Sequence, residues 1–308
     1  MCPLGSMVTM TSTSWAASDA RAQVLIPASF AVSSTAGHEV FGYDAVPAVL
    51  ETAKEAGIST CALASDAAHE VEVIVTMLPN GQIVHAVLQE ILPVAQKGTL
   101  LIDCSTIDVD SARKFHELAA SNDLGSIDCP VSGGIGGATA GTLTFMVGGS
   151  EADYKKAGPY LDIMGGKQVH CGEGGAGQAA KICNNMLLAT TMIGVGEAFS
   201  LGKKLGLEAQ ALFDVMSTSS GYCWSINNYC PVPGIGPESP ADNDYKPGFA
   251  SSLMIKDAGL AQEAAQSVGQ DTPLGQHALE LYRAFAAETE SDLDFSGIIT
   301  WLETKQRG

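Results

Sequence analysis

Residues 174–206 read GGAGQAAKICNNMLLATTMIGVGEAFSLGKKLG, a glycine-rich entry followed by one long, mostly apolar run. As a helix, the stretch from Gly177 to Leu205 extends roughly 40 Å at about 1.5 Å per residue. Its apolar residues do not keep to one stripe: Ile182, Cys183, Met186, Leu187, Leu188, Met192, Ile193 and Val195 cover much of the circumference. A helix apolar nearly all round belongs inside a large protein or a membrane. A membrane span needs about 20 unbroken apolar residues, and Lys181, Asn184, Asn185 and Glu197 interrupt this one. The chain must therefore supply enough other structure to bury the helix.

That buried helix carries a lysine. Asn184 and Asn185 follow Lys181 by three and four residues and share its face. A lysine and two amides on an interior face are costly unless they bind something. Burial also lowers a lysine's pKa toward the range where it exchanges protons. The same pattern also suits a lysine near a helix start that snorkels to water, with asparagines bonding a neighbouring loop.

The chain is 308 residues long, enough for two domains. Hydrophobic residues make up 46% and charged residues 16%, which suits a large core, and 34 glycines suit an α/β protein with tight turns. A net charge of −18 argues against nucleic-acid binding, which needs basic clusters. An anionic substrate would need a local positive site, which Lys181 could supply. None of the eight cysteines forms a CxxC and the histidines do not cluster with them, so no metal is expected. Most of the cysteines read as reduced core residues of an intracellular protein. No run suits a signal peptide or membrane span, and the first 20 residues lack the arginines of a mitochondrial transit peptide. The expected location is cytoplasmic, or the mitochondrial matrix in a eukaryote.

Taken in order, residues 1–21 read as a disordered leader, and Val24 to Ile26 as a short strand. Val40, Phe41 and Tyr43 make a buried strand that ends at Asp44. A carboxylate there can bond the ribose hydroxyls of NAD and repel the extra phosphate of NADP, or can cap the helix that follows. Strands are expected within 71–80, 98–106 and 126–131, from Leu143 to Val147, and near residues 167–172, with helices between them. That alternation predicts a parallel sheet, with ligands beyond the carboxyl ends of its strands. Asp44, Leu78, Pro79, Thr106 and the Ser132-Gly133-Gly134 turn all fall at such ends. After the long helix the chain reads as helical, apart from a Pro/Gly/Asn-rich loop over 221–248. The expected architecture is a leader over 1–21, an α/β sheet domain over 22–172 and an all-helical domain over 173–308.

Several stretches together resemble the β-hydroxyacid dehydrogenase family: TMLP at 76–79, DCSTID at 103–108, DCPVSGGIGGATAGTLTFMVGG from Asp128, GQAAKICNNMLLA from Gly177 and LMIKDAGLA from Leu253. The likeness runs from about Ala36 to the end, about nine-tenths of the chain. SGYCWS at 220–225 and YCPVPG from Tyr229 resemble the branch acting on 3-hydroxyisobutyrate. The resemblance implies a Rossmann-type domain followed by an all-α domain built on the long helix. It also implies NAD-dependent oxidation of 3-hydroxyisobutyrate to methylmalonate semialdehyde, a step of valine catabolism, by a homodimer or homotetramer. Lys181 would be the catalytic acid/base, and Asn185, Ser132, Gly133 and Gly134 would hold the small anionic hydroxyacid. Asp44, Leu78, Pro79, Thr106 and Lys256 would contact the cofactor; Lys256 also reads as a solvated helix lysine paired with an acid.

Asn184 stands where a 6-phosphogluconate dehydrogenase has histidine, which implies simple alcohol oxidation. The presence of Lys181 separates the chain from imine reductases, which generally replace it. Tartronate semialdehyde, L-serine or another small β-hydroxyacid stays open as substrate, as does a non-catalytic relative. One departure from the family supports the last of these. The family opens with GLGxMG, whereas Pro27, Ala28 and Ser29 stand where glycines would let the pyrophosphate approach a helix N-terminus. The first βα unit is thus expected to be incomplete, with residues 1 to about 35 arising from a wrong start, exon choice or local frame shift.

Overall fold

The structure is a computed structural model, and it describes residues 6–11, 38–289 and 292–305. Contacts divide the chain into two compact units, one ending at Lys181 and the other beginning at Ile182.

The first unit is built on a sheet of nine strands: β1 (Ser6–Thr11), β2 (Glu39–Asp44), β3 (Ser59–Thr60), β4 (Val73–Met77), β5 (Leu100–Asp103), β6 (Gly125–Asp128), β7 (Val131–Ser132), β8 (Leu143–Gly148) and β9 (Gly165–Gly172). The spatial order is β3-β2-β1-β4-β5-β6-β8-β7, with β9 paired to β8. The central strands are short and rich in β-branched or leucine side chains, VIVTM in β4 and LLID in β5, and every residue of β5 is buried. Such runs belong to parallel strands covered on both faces. Side chains alternate between the faces. Val73, Val75, Leu100 and Ile102 join Ile127, Phe145 and Leu161 in one cluster. Ile74 and Leu101 join Leu88, Ile91 and Phe115 in the other.

The helices of this unit follow its strands, and three of them are capped by side chains. The first is α1 (Pro47–Glu55), followed by the short α2 (Ala64–Ala67). In α3 (Gly81–Ile91) the Asn80 side chain accepts from Ile83 N at 3.0 Å, and in α4 (Val109–Ala120) Asp108 accepts from Ser111 N at 2.7 Å. A short α5 (Gly134–Ala140) precedes β8, and α6 (Glu151–Met164) is capped by Ser150, which accepts from Asp153 N at 3.1 Å.

Two sequence expectations are corrected here. Residues 6–11, read as part of a disordered leader, form a strand paired in parallel with β2 on one side and β4 on the other. Thr and Val favour extended backbone, but six residues carry no period, and the pairing that fixes them is remote in sequence. The rest of the leader, the strand expected at Val24 to Ile26 and the Pro27-Ala28-Ser29 segment lie outside the described residues. Secondly, the expected parallel pairing holds from β3 through β6 and again between β8 and β9, but not throughout: β8 runs antiparallel to β6 and to β7. The segment joining β6 to β8 carries the two-residue β7 and the seven-residue α5, and β7 itself pairs antiparallel with β8, so the chain turns back on itself there instead of making a helical crossover.

The second unit is helical. It takes α7 (Ala176–Lys204) from Ile182 onward, then α8 (Ala209–Thr218), α9 (Trp224–Asn227), α10 (Ser251–Ser267), α11 (Pro273–Glu288) and α12 (Ile298–Thr304). Its core gathers Met192, Met254, Tyr282, Phe285, Phe295 and Ile298. The long loop after α9 is fastened by buried Asp294, which accepts from Tyr229 OH, Gly248 N and Phe249 N, each at 2.9 Å. Among the described residues no helix is long and apolar enough to cross a membrane.

Candidate active site

The carboxyl ends of β4 and β5 are joined through one buried carboxylate. Asp103 Oδ1 accepts from Thr76 Oγ1 at 2.7 Å, Ser105 Oγ at 2.5 Å and Ser105 N at 3.2 Å. Ser105 Oγ in turn accepts from Leu78 N at 2.8 Å. The Leu78-Pro79 and Ser105-Thr106 loops are thereby tied to each other. Burial pushes the Asp103 carboxyl above the usual carboxylate range, against the hydrogen bonds from Ser105 and Thr76 that hold it down. Burial also pushes the neighbouring Cys129 thiol well up, so it stays protonated and offers no nucleophile.

Beside them, a second buried carboxylate receives the head of α7. Asp128, at the end of β6, accepts from Gly175 N at 2.7 Å and from Gln178 N at 2.8 Å. It supplies from another strand the acceptor that the first N–H groups of a helix lack. His116 lies 2.9 Å from Asp128 through Nε2 and 2.8 Å from Ser126 Oγ through Nδ1. The helix backbone comes very near the sheet here: a Cβ on Gly148 would lie 2.6 Å from Gly177 N, and one on Gly177 would lie 2.6 Å from the Asp128 carbonyl oxygen.

One turn further along α7, Lys181 is buried at 7% exposure, and its Nζ donates to the Val131 carbonyl at 2.9 Å. Val131 directly precedes Ser132. Gly133 and Gly134 have φ of 134° and 60°, conformations that favour glycine, and they turn the chain there. The first unit thus brings Lys181 to the Ser132-Gly133-Gly134 turn.

The second unit holds the other sequence-derived residues. Asn185 is buried and follows Lys181 by one turn of α7. Its Nδ2 donates to Asp257 Oδ2 at 2.5 Å, and its Oδ1 accepts from Asn184 Nδ2 at 2.9 Å. Lys256 Nζ lies 3.8 Å from Asp257 Oδ1. Sequence reasoning overlooked Asp257 although it adjoins Lys256, and overlooked Asp103, Asp128 and Gln178. Only Gln178 left a signal, its place three residues before Lys181 on the same helix face.

Asp44 ends β2, buried, and accepts from Val46 N at 2.7 Å. Val46 itself is the N-cap of α1, with no side-chain cap bond, so Asp44 shapes the turn ahead of the helix and does not cap it. Strand order reverses direction between β1 and β4, the place where open α/β sheets bind ligands. Asp44, Leu78, Pro79 and Thr106 stand at or just beyond the carboxyl ends of β2, β4 and β5. The segment following β1, where a pyrophosphate would rest, lies outside the described residues. No group of three or more His, Cys, Asp or Glu able to hold a metal occurs among the described residues.

Two family models match the chain. The NAD binding domain of 6-phosphogluconate dehydrogenase matches residues 30–172, and the NAD-binding domain of NADP-dependent 3-hydroxyisobutyrate dehydrogenase matches residues 175–302. A Mycobacterium tuberculosis protein named probable 3-hydroxyisobutyrate dehydrogenase is 49% identical over 270 residues, covering 88% of this chain and 92% of the relative. The chain belongs to the 3-hydroxyisobutyrate dehydrogenase family. It is an NAD-dependent oxidoreductase of that kind. A solved structure of the M. tuberculosis 3-hydroxyisobutyrate dehydrogenase with L-serine superimposes with a TM-score of 0.90 at 44% identity, covering 98% of this chain and all of the other. A Pseudomonas aeruginosa relative, 45% identical over 264 residues (85% of this chain, 89% of its own), is named NAD-dependent L-serine dehydrogenase.

Proposed function

We propose that this 3-hydroxyisobutyrate dehydrogenase family member oxidises 3-hydroxyisobutyrate to methylmalonate semialdehyde, in valine catabolism, with Lys181 as its acid–base group. The observation that carries the reading is Lys181 itself: a buried lysine whose Nζ bonds the carbonyl immediately before the Ser132-Gly133-Gly134 turn. The Ser132 hydroxyl and the N–H groups of Gly133 and Gly134 hold the substrate carboxylate. Lys181 Nζ takes the proton of the substrate hydroxyl, and Asn185, oriented by Asp257, holds that hydroxyl beside it. Asp44, Leu78, Pro79, Thr106 and Lys256 hold NAD, whose nicotinamide supplies the hydride acceptor.

A second reading takes L-serine as substrate, favoured by the name of the Pseudomonas relative and by the L-serine in the mycobacterial structure. The two acids differ by a methyl against an ammonium. A buried ammonium needs a partner that a methyl does not, so kcat/KM should favour the true substrate by about tenfold or more. A panel of 3-hydroxyisobutyrate and L-serine with NAD, and of tartronate semialdehyde with NADH, decides it: a higher kcat/KM on L-serine replaces the first reading by the second. In the same assays NAD should outperform NADP, and Asp44→Ala should narrow the gap. A gap unchanged by that substitution removes the role given to Asp44.

Residues Leu187, Leu201 and Leu205 are 63%, 60% and 71% exposed on α7 and just beyond its end. They support a homodimer or homotetramer, which light scattering would establish. A cytoplasmic or mitochondrial-matrix enzyme suits the same reading.

A further inference from the structure

We infer that Gln178 is a positioning residue that ties the loop through Thr106 to the turn of α7 carrying Lys181. This rests on the reading of Lys181 as the acid–base group. Gln178 is fully buried, and its carboxamide and its backbone N–H bond partners far away in sequence. Its Nε2 donates to the Ser105 carbonyl at 2.6 Å, and its Oε1 accepts from Ile107 N at 3.1 Å. One carboxamide thus takes the peptide groups on both sides of Thr106, as the edge of a neighbouring strand would. Its own N–H is held by Asp128 Oδ2 at 2.8 Å.

Two reaction partners are registered through this one side chain. Ser105 also receives Leu78 N, so fixing Ser105 fixes both loops assigned to the cofactor. Three residues on, Lys181 reaches the Val131 carbonyl. Gln178 therefore sets where those loops stand relative to the proton acceptor. Hydride and proton leave adjacent atoms of one substrate, so their acceptors must keep a fixed separation. A misplacement of about 1 Å can cost roughly 100-fold in rate.

The test uses the full chain with Gln178→Met, which keeps the volume without hydrogen bonding, and Gln178→Glu, which keeps the acceptor for Ile107 N and loses the donor to Ser105. For each, kcat and KM are measured with NAD and the best hydroxyacid of the panel. The deuterium isotope effect is measured with substrate labelled at the carbon that loses hydride. Hydrogen exchange at the Ile107 amide is followed without added nucleotide. Gln178→Met should lose about 100-fold in kcat, show a larger isotope effect and exchange Ile107 faster, with little change in hydroxyacid KM. Gln178→Glu should fall between it and the parent. A lowered melting temperature with unchanged kcat and isotope effect overturns the inference, as does failure of both variants to fold, since either would make Gln178 a purely structural residue. Lys181→Ala run in parallel separates the two readings. If it is active, the acid–base assignment falls. If it is inactive while Gln178→Met is normal, only the positioning role falls.

Discussion

Replacing Lys181 by Ala should lower kcat by about 10³-fold, within the range spanned by the loss of a positioned acid–base group. The fold should survive, because the head of α7 is held by Asp128 through Gly175 N and Gln178 N. NAD binding by calorimetry should change little, since Lys181 faces the substrate turn. Lys181→Arg is the more telling variant. It keeps the positive charge and most of the length, but a guanidinium does not deprotonate in a protein, so it should be as inactive as Ala. Small primary amines added to Lys181→Ala should restore part of the rate in proportion to their free-base concentration. A Lys181→Arg enzyme with near-normal turnover would falsify the proton-transfer role and leave only electrostatics.

Asp128→Ala should cause the largest loss of stability. It removes the acceptor of Gly175 N and Gln178 N and the partner of His116 at once, all in a fully buried position. Each orphaned buried donor costs about 1–3 kcal/mol, so about 3 kcal/mol or more is at stake. That corresponds to a drop of roughly 6–10 °C in the melting temperature of a unit this size. Asp128→Asn should do little better, because its NH2 would face one of the two backbone donors it replaces. Denaturant melts should show a lower midpoint at unchanged slope. A midpoint within error of the parent would mean that water or a rearranged helix head satisfies those donors.

What could be read beforehand follows the reach of each interaction. The Lys181 and Asn185 face was legible because helical periodicity places both on one side of an apolar helix. The cores of β4 and β5 were legible because a strand buried on both faces is a short continuous apolar run. Gln178 was legible only as a residue on the Lys181 face: its partners Ser105 and Ile107 lie 73 and 71 residues away, so nothing local shows what its amide bonds. Asp128 reads as part of a strand end until the helix 47 and 50 residues later is seen resting on it. Gly148 and Gly177 escaped for a different reason. Neither has a positive φ, so no turn chemistry demands them; they are required by the space between a helix and a sheet, which one dimension does not show.

Strand β1 has a consequence for how the sheet comes apart. Among the described residues β2 bonds only to β1 and β3, and β4 only to β1 and β5. Six residues are therefore the single seam joining two otherwise separate blocks of hydrogen bonds. Detaching them leaves β2 with β3 as a two-stranded ribbon, too small to hold its shape in water, while the block from β4 onward keeps its own pairings. The amides of β1, β2 and β3 should accordingly lose protection in one cooperative opening, at lower free energy than the rest of the sheet. A substitution in β1 that weakens its pairing therefore acts on the middle of the architecture.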